Sequence, residues 1–200
     1  IIGFALLFIR FVFLYSPVTA AWHALFQAVS GFNNAGFTSI PNSASLSIFR
    51  SDELVLGIIA GLIIVGSLSY WVMAEVLRVK RVATFTLNTK LVLITTLILL
   101  VFGAFIFFIF EFNNSATIGN EPILTKIVSS VFHSVNRTSG FSTINFAYTS
   151  DQTNLLYSAL MFIGGASASV AGGIKVNTVA LIIISIWMSI RGLSGIKIFG

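Results

Sequence analysis

The sequence predicts an all-α integral membrane protein built from one unit that occurs twice in tandem. Three observations carry that prediction. Hydrophobic residues make up 56% of the 200 and charged ones 8%, with mean hydropathy +1.00, whereas a soluble domain is about a quarter charged. Uncharged runs at 54–74, 91–110 and 152–174 hold 21, 20 and 23 residues, close to the roughly 20 that cross a bilayer as helix. Finally, SGFNNAGFTSI (30–40) and NRTSGFSTI (136–144) share the ending Gly-Phe-Ser/Thr-Ser/Thr-Ile. A β-barrel would show strands of about 10 residues alternating polar and apolar, and no stretch does so.

Residues 1–15 read as the end of a spanning helix, broken at Pro17, because proline disfavours helix at the residue before it and suits the first turn of the next. The chain opens on Ile1-Ile2 inside apolar sequence and is expected to be a piece of a longer protein. Between Arg10 and Arg50 lie 39 residues without a formal charge, too many for one span. They divide into a short helix over 18–31, a glycine-bearing loop over 32–40 and a polar return over 41–52. A half-crossing helix followed by extended backbone is a re-entrant loop, which survives at membrane depth only where protein buries it or water bathes it. A full span is expected at 53–77, a basic connector at 78–90 and another span at 91–112. The order then restarts with a short helix over 122–135, a loop over 136–145, and a long segment over 153–190 interrupted by GGASASVAGG (164–173). The repeats therefore cover 1–77 and 91–200. Phe-Gln-Ala-Val-Ser (26–30) echoes Phe-His-Ser-Val-Asn (132–136), and Ile-Val-Gly-Ser (64–67) echoes Phe-Ile-Gly-Gly (162–165). Internal repetition of this kind is a signature of architecture.

Charge sets the orientation. The connector carries Arg78, Lys80, Arg81 and Lys90 without an acid, and the far end adds Arg191 and Lys197. Basic loops stay in the cytoplasm. Five of the six acids, Asp52, Glu53, Glu111, Glu121 and Asp151, fall on the opposite side, where an acidic mouth would concentrate cations. The net charge of +5 does not signal nucleic acid, because the basic residues form no patch with interleaved aromatics. No cysteine is present, so disulfides and thiolate metal sites are excluded.

A dehydrated cation needs oxygen ligands, and rings of backbone carbonyls provide them without a fixed charge that would hold the ion too tightly. Aiming carbonyls at one axis takes the backbone out of helix and often to positive φ, which glycine adopts freely. Gly36 and Gly140 have that role in this reading, with Phe37 and Phe141 wedging the loops against neighbouring helices. Asn33, Asn34, Thr138 and Ser139 would hydrogen-bond the unwound backbone. The preceding short helices would aim their partly negative C-terminal ends at the ion.

FQAVSGFNNAGFTS, FHSVNRTSGFST and MFIGGASASVAGGIKVNT, in this order and spacing, resemble the Trk/Ktr/HKT superfamily of potassium transporters over nearly the whole chain. The resemblance implies a potassium-channel-like fold of membrane–pore-loop–membrane repeats, four around one pore, of which these look like the second and third. It implies filter segments Asn34-Ala35-Gly36-Phe37 and Thr138-Ser139-Gly140-Phe141, supported by Asn33 and Arg137. Potassium would be held by the carbonyls of Ala35, Gly36, Ser139 and Gly140. The stretch Gly164, Gly165, Ala166, Ser167, Ser169, Gly172, Gly173 and Lys175 matches the family's intramembrane gating loop, which breaks the last span. The resemblance further implies a homodimer in the cell membrane and a cytosolic nucleotide-binding regulatory subunit, with no cofactor beyond the transported ion. In the family, serine replacing the first repeat's filter glycine accompanies sodium transport. That repeat lies outside this chain, so sodium conduction stands as the alternative to potassium.

Single residues remain. Arg137 is expected to pair with Glu111 or Glu121 and brace the second loop. Lys175 would either repel an ion or meet a carboxylate at the gate, or reach outward to the interface. His23 and His133 are expected to pack or hydrogen-bond on the short helices, Glu75 to pair with Arg78 at the surface, and the twenty phenylalanines to face lipid. A sodium-coupled secondary transporter also uses repeats and broken helices, but often in inverted order. An enzyme lacks a constellation here: there is no Cys, no His–Asp pairing and no Gly-x-Ser-x-Gly.

Overall fold

The computed structural model describes residues 1–41, 45–79 and 81–192. Among them the chain is helical, with eight α-helices and no named strand. They are α1 (Ile2–Phe11), α2 (Pro17–Phe32), α3 (Glu53–Ser67), α4 (Tyr70–Arg78), α5 (Leu87–Glu111), α6 (Ile123–Val135), α7 (Asp151–Met161) and α8 (Val176–Ile190). Lys80 and Lys197 of the expected basic face lie outside the described residues.

The helix starts are written locally. Pro17 occupies the first turn of α2, where its missing N–H costs nothing. Asp52, Ser69, Thr86 and Ser150 cap α3, α4, α5 and α7, each accepting a backbone N–H three residues on. The cap at Ser69 has the largest consequence. In place of the continuous span expected over 53–77, α3 and α4 meet at 104°, because Ser69 takes extended backbone and starts a new helix. Only α5, among the described residues, is by itself long and apolar enough to cross a membrane. It begins at Leu87, inside the stretch read as connector.

Helices α1, α2 and α3 enclose the main core around Leu7, Phe11, Ala24, Ile59 and Ile63. Phe132, Val135 and Phe141 carry that core across to α6. Helix α5 packs on α6, where a Cβ at Gly103 would lie 2.5 Å from Ser134 Oγ and that hydroxyl donates to the Leu100 carbonyl at 2.7 Å. Phe11, Phe107, Phe132 and Phe141 are fully buried, so the phenylalanines are not simply lipid-facing bulk. The outward faces of α5 and α8 expose Leu97, Ile98, Val101, Phe105, Ile182, Ile183 and Ile186, an apolar exterior suited to hydrocarbon surroundings.

Candidate functional site

The first glycine loop is fastened to the helix that precedes it. His23, Gln27 and Ser30 recur at i, i+4 and i+7 on one face of α2, and such positions lie over one another along a helix. His23 Nδ1 shares a hydrogen bond with Ser39 Oγ at 2.8 Å. Gln27 donates to Thr38 Oγ1, and Ser30 Oγ donates to the Phe37 carbonyl at 2.7 Å. The chain thus returns antiparallel to the helix it has just left. At the turn, Asn34 has φ 53° and Gly36 φ 74°, the left-handed region that asparagine and glycine tolerate best. Asn33 only donates to the Val29 carbonyl of its own helix. Support falls to Asn34, which donates to the Ile63 carbonyl at 3.3 Å and accepts from Ser67 Oγ at 3.3 Å.

The second loop has a different anchor. The Asn136 side chain accepts from Ser139 Oγ and the Phe141 amide and donates to the Phe141 carbonyl. Ser30 and Asn136 are the last positions of the two five-residue echoes, and each bonds the carbonyl of the phenylalanine after the glycine. Phe141 is 1% exposed and wedges into the core, whereas Phe37 is 70% exposed and does not. His133, the counterpart of Gln27, stacks on Phe107 at 5.0 Å between ring centroids and sits among Phe132, Phe146 and Tyr157.

The two loops touch. Gly36 lies so close to the second loop that a Cβ there would sit 1.7 Å from the Ser139 carbonyl oxygen. Thr138 Oγ1 donates to Asn34 Oδ1 at 3.0 Å, and the Leu46 amide donates to the Ser142 carbonyl at 2.8 Å. Gly140, at φ 88°, has open space where its Cβ would be.

Between α7 and α8, residues 162–175 form a loop whose two ends run parallel, bridged by Gly164 N–H to the Ile174 carbonyl and Ile174 N–H to the Phe162 carbonyl. A Cβ on Gly164 would lie 1.5 Å from the Gly172 carbonyl oxygen, so the two limbs meet backbone to backbone. Gly165 is hemmed in by Ser169 and Ala171, while Gly173 and Ala168 turn at φ 81° and 62°. The loop docks on the α3–α4 bend: Ala166 N–H donates to the Ser67 carbonyl at 2.8 Å and Val170 N–H to the Gly66 carbonyl at 3.3 Å. A helix break leaves carbonyls without their i+4 donors, and here one break supplies donors to the other. The exposed Ser167 takes its backbone partner from Asn177. Among the described residues Lys175 meets no carboxylate; it donates to the Ala171 carbonyl at 2.6 Å, holding the loop on itself.

Several expectations are corrected. Arg137 meets neither Glu111 nor Glu121. It is buried and donates to the carbonyls of Ser134 at 3.3 Å and Ile163 at 3.4 Å, so it joins the second loop to the start of the 162–175 loop. Glu121 pairs instead with Arg50, and Asp52 with Arg10. Glu111 is fully buried, accepting from Thr117, Ser150, Thr153 and Asn114, so it ties α5 to α7 and adds nothing to an acidic mouth. Glu53 and Asp151 remain exposed. Glu75 accepts from Thr86 and Thr89 rather than pairing with Arg78. Among the described residues, no group of three or more His, Cys, Asp and Glu side chains is placed to hold a metal ion.

Sequence reasoning missed Asn136, Gln27, Ser30 and the α3–α4 bend. The signals were present: polar residues at helical spacing inside apolar sequence, and a serine pair flanking Leu68.

Residues 1–198 match the TrkH family, described as cation transport protein. The chain is 36% identical over its whole length to the Ktr system potassium uptake protein B of Bacillus subtilis, covering 44% of that protein. It is 31% identical over its whole length to the potassium/sodium uptake protein NtpJ of Enterococcus hirae, again covering 44%. The chain thus spans under half the length of these relatives. In fold it is similar to the potassium transporter TrkH of Vibrio parahaemolyticus, with TM-score 0.71 at 17% identity over 98% of this chain and 41% of that one.

Proposed function

The chain belongs to the TrkH cation transport family and is a membrane protein, and from that premise we propose that it forms part of a potassium uptake pore in the cell membrane. The two glycine loops are its filter segments. A potassium ion sheds water there and is met by the backbone carbonyls of Ala35, Gly36, Ser139 and Gly140, with the ends of α2 and α6 adding their partial negative charge. The observation that carries the reading is the direct backbone approach of Gly36 to Ser139, with both loop glycines at positive φ. Two unwound, glycine-turned segments side by side suit the contribution of carbonyl oxygens to one axis.

The tandem membrane–pore-loop–membrane organisation, with two further repeats supplied outside this chain, follows from the same reading. So do multi-pass insertion, a homodimer, and a cytosolic nucleotide-binding regulatory subunit docking on the face that carries Arg78, Arg81, Lys90 and Arg191. The 162–175 loop is the gate. Its docking on another helix break makes it a seated plug rather than a slack one. Sodium is the second reading, favoured by the 31% identity to a relative named for potassium and sodium uptake.

Gly140→Ser in the full-length protein is the test, because Gly140 has open space for a side chain and only its left-handed backbone opposes one. Reconstituted in vesicles, it should lose potassium flux or potassium-over-sodium preference. Unchanged transport would overturn the filter assignment. Shortening 164–173 should alter the open fraction.

A further inference from the structure

We infer that Asn34 is a positioning residue that makes the first filter segment, the second filter segment and the gating loop move as one unit, a statement that rests on the transport reading above. Its single side chain has a partner on each side. Oδ1 accepts from Thr138 Oγ1 in the second filter segment at 3.0 Å and faces Ser67 Oγ at the α3–α4 bend at 3.3 Å, while Nδ2 donates to the Ile63 carbonyl at 3.3 Å, the same carbonyl that accepts from Ser67 Oγ at 2.8 Å. Ser67 is held in turn by the gate, since its carbonyl accepts from Ala166 N–H at 2.8 Å. The neighbouring Gly66 carbonyl accepts from Val170 N–H, and a Cβ on Gly66 would lie 1.8 Å from the Phe32 carbonyl oxygen. The bend is therefore pressed between the end of the first pore helix and the gating loop, with no slack to absorb a shift. Asn34 itself is 8% exposed and stands at φ 53°.

A displacement of the gating loop reaches Ser67 through its carbonyl, Asn34 through the Ser67 hydroxyl and the Ile63 carbonyl that both side chains bond, and the second filter segment through Thr138. Linkage makes the effect reciprocal: an ion that tightens the two filter segments holds the gate where it sits. The route also accounts for an otherwise costly feature. Asn34 stands in left-handed backbone two residues before a glycine that already supplies a positive φ, and a residue at that angle persists where its surroundings over-determine it.

The test uses the full-length protein in vesicles with potassium and sodium as the probes. Thr138→Val and Ser67→Ala each remove one donor at nearly constant shape. Each should lower the potassium-to-sodium flux ratio about fivefold, the worth of one neutral hydrogen bond, and Thr138→Ser should restore it. Because both act through one side chain, the double variant should change the ratio no further than either single one. Independent sites would multiply to about twenty-five-fold. A second readout separates coupling from mere packing. With Ser167→Cys as the sole reactive thiol, potassium should slow labelling of the gate, and Asn34→Ala should abolish that dependence. If Thr138→Val is not recovered folded, Ser67→Ala against Ser67→Thr reports the same link from the gate side. Multiplicative effects, or potassium-dependent labelling that survives Asn34→Ala, would overturn the role of Asn34 and leave the transport reading standing. Wild-type vesicles that pass neither ion would overturn both.

Discussion

The two glycine loops share a five-residue ending and little else. The first is fastened along its length by three side chains of α2, at 23, 27 and 30, and its phenylalanine is largely exposed. The second is held chiefly by the buried Asn136 and Arg137, and its phenylalanine is sealed in the core. Their glycines differ in the same sense. Gly36 has both a positive φ and no room for a side chain, whereas Gly140 has the φ alone. One loop is held by many small contacts around a crowded glycine, the other by few large ones around an open glycine. Damage to them should therefore be distributed differently, although their sequences ask for the same turn.

The sharpest way to break this comparison is to place alanine at each glycine in the full-length protein. Gly36→Ala combines overpacking against backbone with left-handed strain and should cost more than about 3 kcal/mol, and Gly140→Ala about 1 kcal/mol. Thermal unfolding of the purified protein measures both, and equal losses would end the distinction. The 162–175 loop offers a parallel pair. Gly164→Ala, aimed at the Gly172 carbonyl, should cost about 3 kcal/mol, whereas Gly172→Ala meets open space and should stay within about 0.5 kcal/mol. Next comes the anchoring. Asn136→Ala removes three bonds and leaves buried backbone unmet, a loss of about 2–3 kcal/mol, against about 1 kcal/mol for Ser30→Ala. Denaturant midpoints would reverse that order if the second loop were held chiefly by Phe141. The smallest effect belongs to Asn33→Ala, which removes only a bond within its own helix and should shift stability by less than about 0.5 kcal/mol.

Much of this arrangement could be read from the residues. Proline at 17 and 122 marks the starts of the short helices α2 and α6, and the glycine loops follow where the polar residues interrupt apolar sequence. Those are local signals, each decided by a few neighbouring positions. The echo of 64–67 in 162–165 also pointed at something real, since both stretches lie at helix breaks. Its meaning was half missed: only the later break was expected, because four glycines in ten residues are conspicuous and one serine cap is not. Pairing was the least legible part. Arg137 was expected to seek an acid and instead found two carbonyls, because a buried guanidinium is satisfied by whatever acceptors the fold brings within reach.

The sequence by itself determined that this chain is helical, apolar outside, and unwound at two glycine turns, because composition, proline and positive-φ requirements act over a few residues. Only the tertiary structure decided that the two turns press together at Gly36, that Asn34 rather than Asn33 holds them, and that the 162–175 loop sits on the bend at Gly66–Ser67. Each of these joins groups from about 30 to more than 100 positions apart in sequence. Residues so distant meet only through packing, and hydrogen-bonding capacity alone does not say which partner burial will bring.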